Sequence, residues 1–165
     1  MTRWGLLACT LGIAALYWPT ESRRIEWQLS SLARAASHDG PFLQSDWLQR
    51  LDAIIRTNFS AATSITIEGV ANQTVSRDQI IQGLVEVARE ATRLQLDFEH
   101  VLVNFSQDHQ GAQVTADAII ERTTPERTDR ERRHVSFALH READMYRIIG
   151  VEGSAKIVNQ PEPRP

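Results

Sequence analysis

The chain has 165 residues, with 18 basic and 21 acidic side chains and a formal net charge of -3. One domain of this length can bury a sizeable core without metals or disulfides. The slightly acidic balance gives no electrostatic case for nucleic acid, whose binding domains are clearly basic, so this class of function is set aside. The single cysteine, Cys9, lies near the N-terminus, which leaves the rest of the chain without a disulfide or a thiol nucleophile.

Residues 1–20 are predicted to be a signal-like segment or a membrane anchor. Residues 4–18 carry no charge, and as a helix they would span roughly 22 Å at about 1.5 Å per residue, less than the about 30 Å of hydrocarbon in a bilayer. Three fates stay open: lipid attachment at Cys9, cleavage after the small residues 14–15, and retention as an anchor. Aromatic residues at both ends favour retention, because they are typical of the membrane interface. They are Trp4, Tyr17 and Trp18.

Three amphipathic helices are predicted next. The first covers residues 22–37 and ends at the turn signal of residues 38–41, and the second runs from 45 to about 58. After a short β-branched strand at 64–68, a capping box of Ser76 with Gln79 begins a third helix, which extends to about Thr92. The apolar stripes of the three helices are Ile25, Leu29, Leu32 and Ala36; Trp47, Leu48, Leu51, Ile54 and Ile55; and Ile80, Ile81, Leu84, Val87 and Ala88.

The second half of the chain predicts an antiparallel sheet. Residues 93–105 form the longest run of alternating apolar and polar residues, and residues 112–123 and 134–140 alternate in the same way. The charged run 121–134 is predicted to be a solvated hairpin loop. A tight turn at residues 143–144 then leads into the last strand.

Matching apolar faces predicts the pairing of the first two long strands. The pairs are Leu96 with Ile120, Phe98 with Ala118, His100 with Ala116 and Leu102 with Val114, around a turn centred on Asp108. A shift by one residue would set His100 against Asp117 and mix apolar with charged positions, so that dyad is rejected. His100 is therefore predicted on the inner, apolar face.

The same argument predicts the pairing of the last two strands. The pairs are Leu139 with Ile148, Phe137 with Gly150 and Arg141 with Tyr146. Ala138, Ile149 and Val151 then lie on the outer face, which is more apolar than a face left in water. We expect a second copy of the chain to cover it.

The order of helices and strands, the closing strand ADMYRIIGVE and the segment VLVNFSQDHQGAQVTADAII resemble the NTF2-like superfamily, of the SnoaL-like kind, over about residues 24–153. The resemblance implies an α+β cone, in which N-terminal helices pack on a curved antiparallel sheet and leave a pocket, and dimers formed through the outer sheet face. The expected organisation is a domain over residues 21–158 and a disordered tail over 159–165. Isomerases, dehydratases, hydrolases and members without activity share this fold, so it does not define a reaction.

A ligand pocket is predicted on the inner face. Its residues are Trp27, Trp47, Phe98, His100, Ala116, Ala118, Phe137 and Tyr146. His100 is a candidate general base, or else a histidine at the edge of the core that a backbone carbonyl satisfies. Tyr146 is a candidate hydroxyl donor to a ligand or oxyanion, or else a core aromatic. His134 and His140 lie six residues apart on one strand, too far apart to share a metal. We expect no metal and no cofactor.

Three functions remain open. The first is a membrane-associated, extracytoplasmic (periplasmic) domain without catalysis, held at the membrane through residues 4–18, that binds a small apolar ligand or a protein partner. It is preferred because no polar side chains converge on the predicted pocket. The second is an isomerase, dehydratase or hydrolase that uses His100 with Tyr146. The third is a structural subunit of an envelope or secretion complex.

Overall fold

The computed structural model describes residues 20–40, 45–69 and 71–154. Within this part of the chain, three helices pack on a curved sheet of seven strands, which confirms the predicted α+β class. In chain order the elements are α1 (Glu21–Ala36), β1 (His38–Asp39), α2 (Ser45–Asn58), β2 (Phe59–Ile67), β3 (Ala71–Ser76), α3 (Arg77–Arg89), β4 (Arg93–Phe105), β5 (Gly111–Thr123), β6 (Thr128–Glu142) and β7 (Met145–Gly153).

The helices begin where their sequences predict. The side chain of Thr20 accepts the backbone N–H of Arg23 at the start of α1, which satisfies one of the free donors of the first turn. At the start of α3, Ser76 and Gln79 form the predicted capping box through two reciprocal hydrogen bonds. No helix within the described residues is long and apolar enough to cross a membrane. The predicted anchor at 4–18, with Cys9, and the predicted tail at 159–165 lie outside them.

The strands follow the order β1-β4-β5-β6-β7-β2-β3, and every neighbouring pair is antiparallel except β2 with β7. The sheet is therefore mixed, because the chain returns from the helices to place β2 beside the last strand. The strand predicted at residues 64–68 covers only the second half of β2, and the sequence analysis missed β1 and β3. Both are short and polar, and β1 coincides with the turn signal at residues 38–41.

A β-bulge in β4 overturns half of the predicted pairing with β5. Leu96 pairs with Ile120 and Phe98 with Ala118, as predicted, but the register shifts between Glu99 and Leu102. Beyond the shift, Leu102 faces Thr115, and Val103 takes its place opposite Val114. His100 adopts a left-handed backbone conformation, with φ at 52°, and absorbs the extra residue. The predicted pairing of His100 with Ala116 is therefore wrong.

A second irregularity lies between β6 and β7. Leu139 pairs with Ile148 as predicted, but Phe137 pairs with Val151, and Gly150 lies opposite Ala138. Ile149 is the extra residue. Val151 consequently packs against the inner core, and its predicted place on the outer face is wrong.

The run predicted as a solvated loop at 121–134 is mostly strand. β5 and β6 pair without interruption as far as Thr123 with Thr128, which leaves only residues 124–127 for the turn. Ion pairs along this end of the hairpin offset its charges. Arg127 Nε lies 2.9 Å and Arg122 Nη2 3.7 Å from Asp129 Oδ2. A charged strand is stable here because opposite charges on neighbouring residues attract each other.

The core lies between the helices and the inner sheet face. The largest fully buried side chains among the described residues are Ile25, Leu29, Leu51, Ile55, Thr63, Val114 and Ile148. Burial of one such large aliphatic side chain contributes about 1.5–3 kcal/mol. The same packing holds α1 above β4 and α2 above β7, with the two helices side by side.

Candidate functional site

A cavity of about 330 Å³ opens between α1, the C-terminal half of α2 and the turn that joins β6 to β7. Its size lies at the lower end of the range for small-molecule sites, about 300–1,000 Å³. The described lining residues are Glu21, Arg24, Ile25, Trp27, Gln28, Ser31, Ile54, Thr57, Asn58, Arg141, Asp144, Met145 and Tyr146.

Apolar side chains form the floor and part of the rim. Ile25 is only 1% exposed, and Ile54 packs half-buried beside it against the core. At the rim, Trp27 is 71% exposed and Met145 44% exposed, although both side chains are large and apolar. Exposed apolar groups around a concave site are typical of ligand-binding surfaces.

Two charged side chains of the wall, Glu21 and Arg141, are paired with each other, whereas the exposed Arg24 and Asp144 have no described partner. Glu21 Oε1 lies 3.1 Å from Arg141 Nη1, and Glu21 Oε2 lies 3.3 Å from Nδ1 of His109. The Arg141 guanidinium also lies 5.9 Å from the centre of the Tyr146 ring. This network links α1 to the β4–β5 turn and to the end of β6 beside the β6–β7 turn, so it fixes the shape of the wall.

Tyr146 belongs to the same wall. Its hydroxyl donates a hydrogen bond of 2.8 Å to the carbonyl oxygen of His109, and its own carbonyl accepts one of 2.9 Å from Gln28 Nε2. Burial raises the pKa of the Tyr146 hydroxyl above its ordinary value. A neutral hydroxyl that already donates to a backbone carbonyl suits a structural role better than proton transfer.

The predicted pocket residues divide into three groups. Trp27 and Tyr146 line the cavity. Phe98, Phe137, Ala116 and Ala118 pack in the core instead: the two phenyl rings meet edge to face at 5.5 Å, and the last three side chains are buried. Trp47 is 2% exposed, and its ring lies 5.5 Å from that of His38.

His100 is the exception, because the bulge turns its side chain to the outer sheet face. Its Nδ1 atom lies 3.1 Å from Asp117 Oδ2, so the dyad that the sequence argument rejected is present. His134 Nδ1 approaches the other carboxylate oxygen of Asp117 at 3.3 Å. Hydrogen bonding with His134, and to a lesser extent with His100, lowers the pKa of Asp117. His100 and Tyr146 therefore lie on opposite sides of the sheet.

This outer cluster is open to solvent. The side chains of His100 and His134 are 71% and 61% exposed, and no described pocket contains either residue. Among the described residues, no three His, Cys, Asp or Glu side chains are grouped to hold a metal ion. The histidine pair with its shared carboxylate is therefore a surface feature and not part of the cavity.

Sequence reasoning missed most of the cavity wall. Glu21, Arg24 and Gln28 recur at steps of three and four along α1, beside its buried stripe, which is a signal for one shared helix face. Arg141 and Met145 flank the predicted turn at residues 143–144. Nothing in their local pattern shows that this turn lies against α1.

Comparisons with known proteins place the fold. No protein-family model matches the chain, and no curated protein matches its sequence. Three similar solved structures come from bacteria. An NTF2-like protein with a cystatin-like fold from Novosphingobium aromaticivorans is 14% identical, with a TM-score of 0.56 over 98% of this chain and 94% of that one. A protein assigned as a scytalone dehydratase from the same species is 11% identical, with a TM-score of 0.64 over 84% and 85%.

The third is a Streptomyces avermitilis protein assigned as a dehydratase of the NTF2-like family. It is 10% identical, with a TM-score of 0.60 over 81% of this chain and 94% of that one. Identities this low show the fold alone. The chain thus has an NTF2-like fold, as its closing strand and hairpin predicted.

Proposed function

We propose that the chain is a non-catalytic NTF2-like domain that binds a small, mainly apolar ligand in the cavity between α1 and α2. The observation that carries this proposal is that the main polar side chains of the cavity wall already have partners within the protein. Glu21 and Arg141 pair with each other, and the Tyr146 hydroxyl donates to a backbone carbonyl. The wall therefore combines apolar surface with polar groups that mostly have partners within the protein, whereas the exposed side chains of Arg24 and Asp144 have no described partner. This arrangement suits binding more than proton transfer.

The enzymatic alternative required His100 and Tyr146 to act on the same substrate, and their positions do not support this. General acid–base catalysis needs its groups within hydrogen-bonding reach of one substrate. His100 faces the outer side of the sheet and Tyr146 the cavity, so one bound molecule would not meet both. The dehydratase assignments of two structural neighbours concern those proteins.

A blocked-cavity variant tests ligand binding. Ser31 lines the cavity, whereas its neighbour Ser30 is exposed and outside the lining. We expect neutral apolar compounds to raise the melting temperature of the wild type and of Ser30→Phe. Ser31→Phe should keep the fold, but its melting temperature should not rise with these compounds, because the phenyl ring occupies the cavity. A panel that shifts neither the wild type nor Ser30→Phe would remove the proposal.

The proposal includes attachment to a membrane through residues 4–18, with the domain outside the cytoplasm. The support is the uncharged run and its terminal aromatics. Fractionation of cells that express the full chain tests attachment, and protease treatment of spheroplasts tests the side of the membrane. We expect the chain in the membrane fraction and its domain cleaved from outside. Recovery in the cytosolic fraction would contradict both expectations.

The outer sheet face is proposed to pair with a second copy of the chain. Leu102 is 63% and Ile149 40% exposed there, and Ala138 and Gly150 border a shallow depression of about 270 Å³. We expect a dimer by sedimentation velocity and a monomer after Ile149→Glu. Val87→Glu, at a similarly exposed position on α3, is the control. A monomeric wild type would end the dimer proposal.

A further inference from the structure

The cavity continues into a second, more open depression between the same two helices. Ser31, Ile54 and Thr57 line both spaces, so the two form one groove along α1 and α2. The second depression has a volume of about 510 Å³. Its remaining described lining residues are Arg34, Ala35, Arg50 and Ala53.

The two ends of this groove differ in charge. Among the described lining residues of the cavity, Glu21 and Asp144 balance Arg24 and Arg141. The second depression has two arginines and no acidic residue in its described lining. Positive charge is thus concentrated at the end of the groove that lies beside the C-terminal half of α1.

Both arginines at that end lack an acidic partner among the described residues. Arg34 donates only to uncharged oxygens, the carbonyl of Ser30 at 3.3 Å and the hydroxyl of Ser31 at 3.4 Å. Arg50 is exposed and has no described ion pair. On the same helix, Arg56 behaves differently, because it contacts both Asp52 and Asp78 at 2.8 Å. The positive charge of Arg34 and Arg50 is therefore available to a ligand.

We propose that the groove binds a single-chain amphiphile with an anionic head group, and this inference rests on the proposed function. The head group lies between Arg34 and Arg50, and the apolar chain extends past Ile54 into the cavity. Guanidinium groups form charge-assisted hydrogen bonds with carboxylates and phosphates, which gives the anionic end its orientation. Because both arginines are exposed, salt weakens this part of the binding.

Three probes with the same alkyl chain separate head from tail. Decanoate, decanol and decyltrimethylammonium are titrated into the purified full chain at low ionic strength, and dissociation constants are measured by calorimetry. We expect decanoate to bind about fivefold more tightly than decanol, the upper end of the range for one exposed charged contact. The cationic probe should bind no better than decanol.

Substitution of both arginines isolates the head-group contact. Arg34→Gln with Arg50→Gln should weaken decanoate binding to the level of decanol and leave decanol unchanged. Arg130→Gln, exposed on β6 away from the groove, is the matched control. The melting temperature of each ligand-free variant verifies folding, and Arg50→Gln alone replaces the double variant if the latter is unstable.

The outcomes distinguish the two proposals. Equal affinity of the wild type for decanoate and decanol would overturn the anionic head group and leave the apolar cavity as proposed. No binding of either probe would overturn both. Cosedimentation with phosphatidylglycerol vesicles, lost in the arginine variant and without decanoate binding, would assign the arginines to a membrane surface and contradict a single-chain ligand.

Discussion

At the residue scale, a substitution of Tyr146 distinguishes a structural role of its hydroxyl from a role in the site. The hydroxyl donates a hydrogen bond to the carbonyl oxygen of His109. Removal of the hydroxyl should therefore lower the stability of the protein and leave ligand binding unchanged. We expect Tyr146→Phe to lower the free energy of unfolding by about 1 kcal/mol, the value of one hydrogen bond. In urea denaturation the midpoint should fall while the slope stays unchanged. Loss of ligand binding in a variant of normal stability would show that the hydroxyl serves the ligand.

The pKa of Asp117 predicts how the stability of the protein changes at acidic pH. Its pKa in the folded state lies below its ordinary value, because the imidazoles of His134 and His100 bond to the ionised carboxylate. This contribution to stability is complete above the unfolded pKa of about 3.9. It is lost as the pH falls through the lower, folded pKa.

We therefore expect Asp117→Asn to flatten the dependence of stability on pH below about pH 4, relative to the wild type. Glu126→Gln, in the exposed turn between β5 and β6, is the control. Thermal melts across that range measure the difference. Parallel curves for the wild type and Asp117→Asn would show that the two histidine contacts contribute nothing to stability.

At the element scale, the bulge in β4 decides which side of the sheet His100 faces. A left-handed backbone is tolerated by asparagine and is strained for a β-branched residue. Both His100→Asn and His100→Val remove the imidazole. We expect the valine variant to be less stable by about 1–2 kcal/mol than the asparagine variant. Equal stability of the two variants in denaturant titrations would show that β4 does not contain this bulge.

The same element shows how far sequence reasoning reaches. The bounds of β4 and its pairing as far as Phe98 follow from strict alternation. The three helices follow from their apolar stripes and caps, although the stripe residues Leu48 and Val87 are exposed. The bulge does not follow, because an inserted residue changes no local pattern until the partner strand is known. A register chosen to match the alternating apolar residues of β4 and β5 placed His100 inside. The protein instead exposes Leu102 and returns Val103 and Phe105 to the core.

At the scale of the whole molecule, the cavity is a product of tertiary packing. Its wall combines α1, the end of α2 and the β6–β7 turn, three segments far apart in the chain. Trp27 and Tyr146 were predicted as pocket residues on separate grounds. Their common site depends on the way α1 crosses the sheet, which local spacing does not encode.

We propose above all that this cavity binds a ligand, and NMR chemical shifts of methyl groups test this most directly. In a full chain labelled at isoleucine and methionine methyls, decanol is titrated and spectra are recorded. We expect saturable shifts at Ile25, Ile54 and Met145, which line the cavity, and none at Ile149 on the outer sheet face. Shifts centred on Ile149, or no saturable shift at the three cavity methyls, would contradict the proposal.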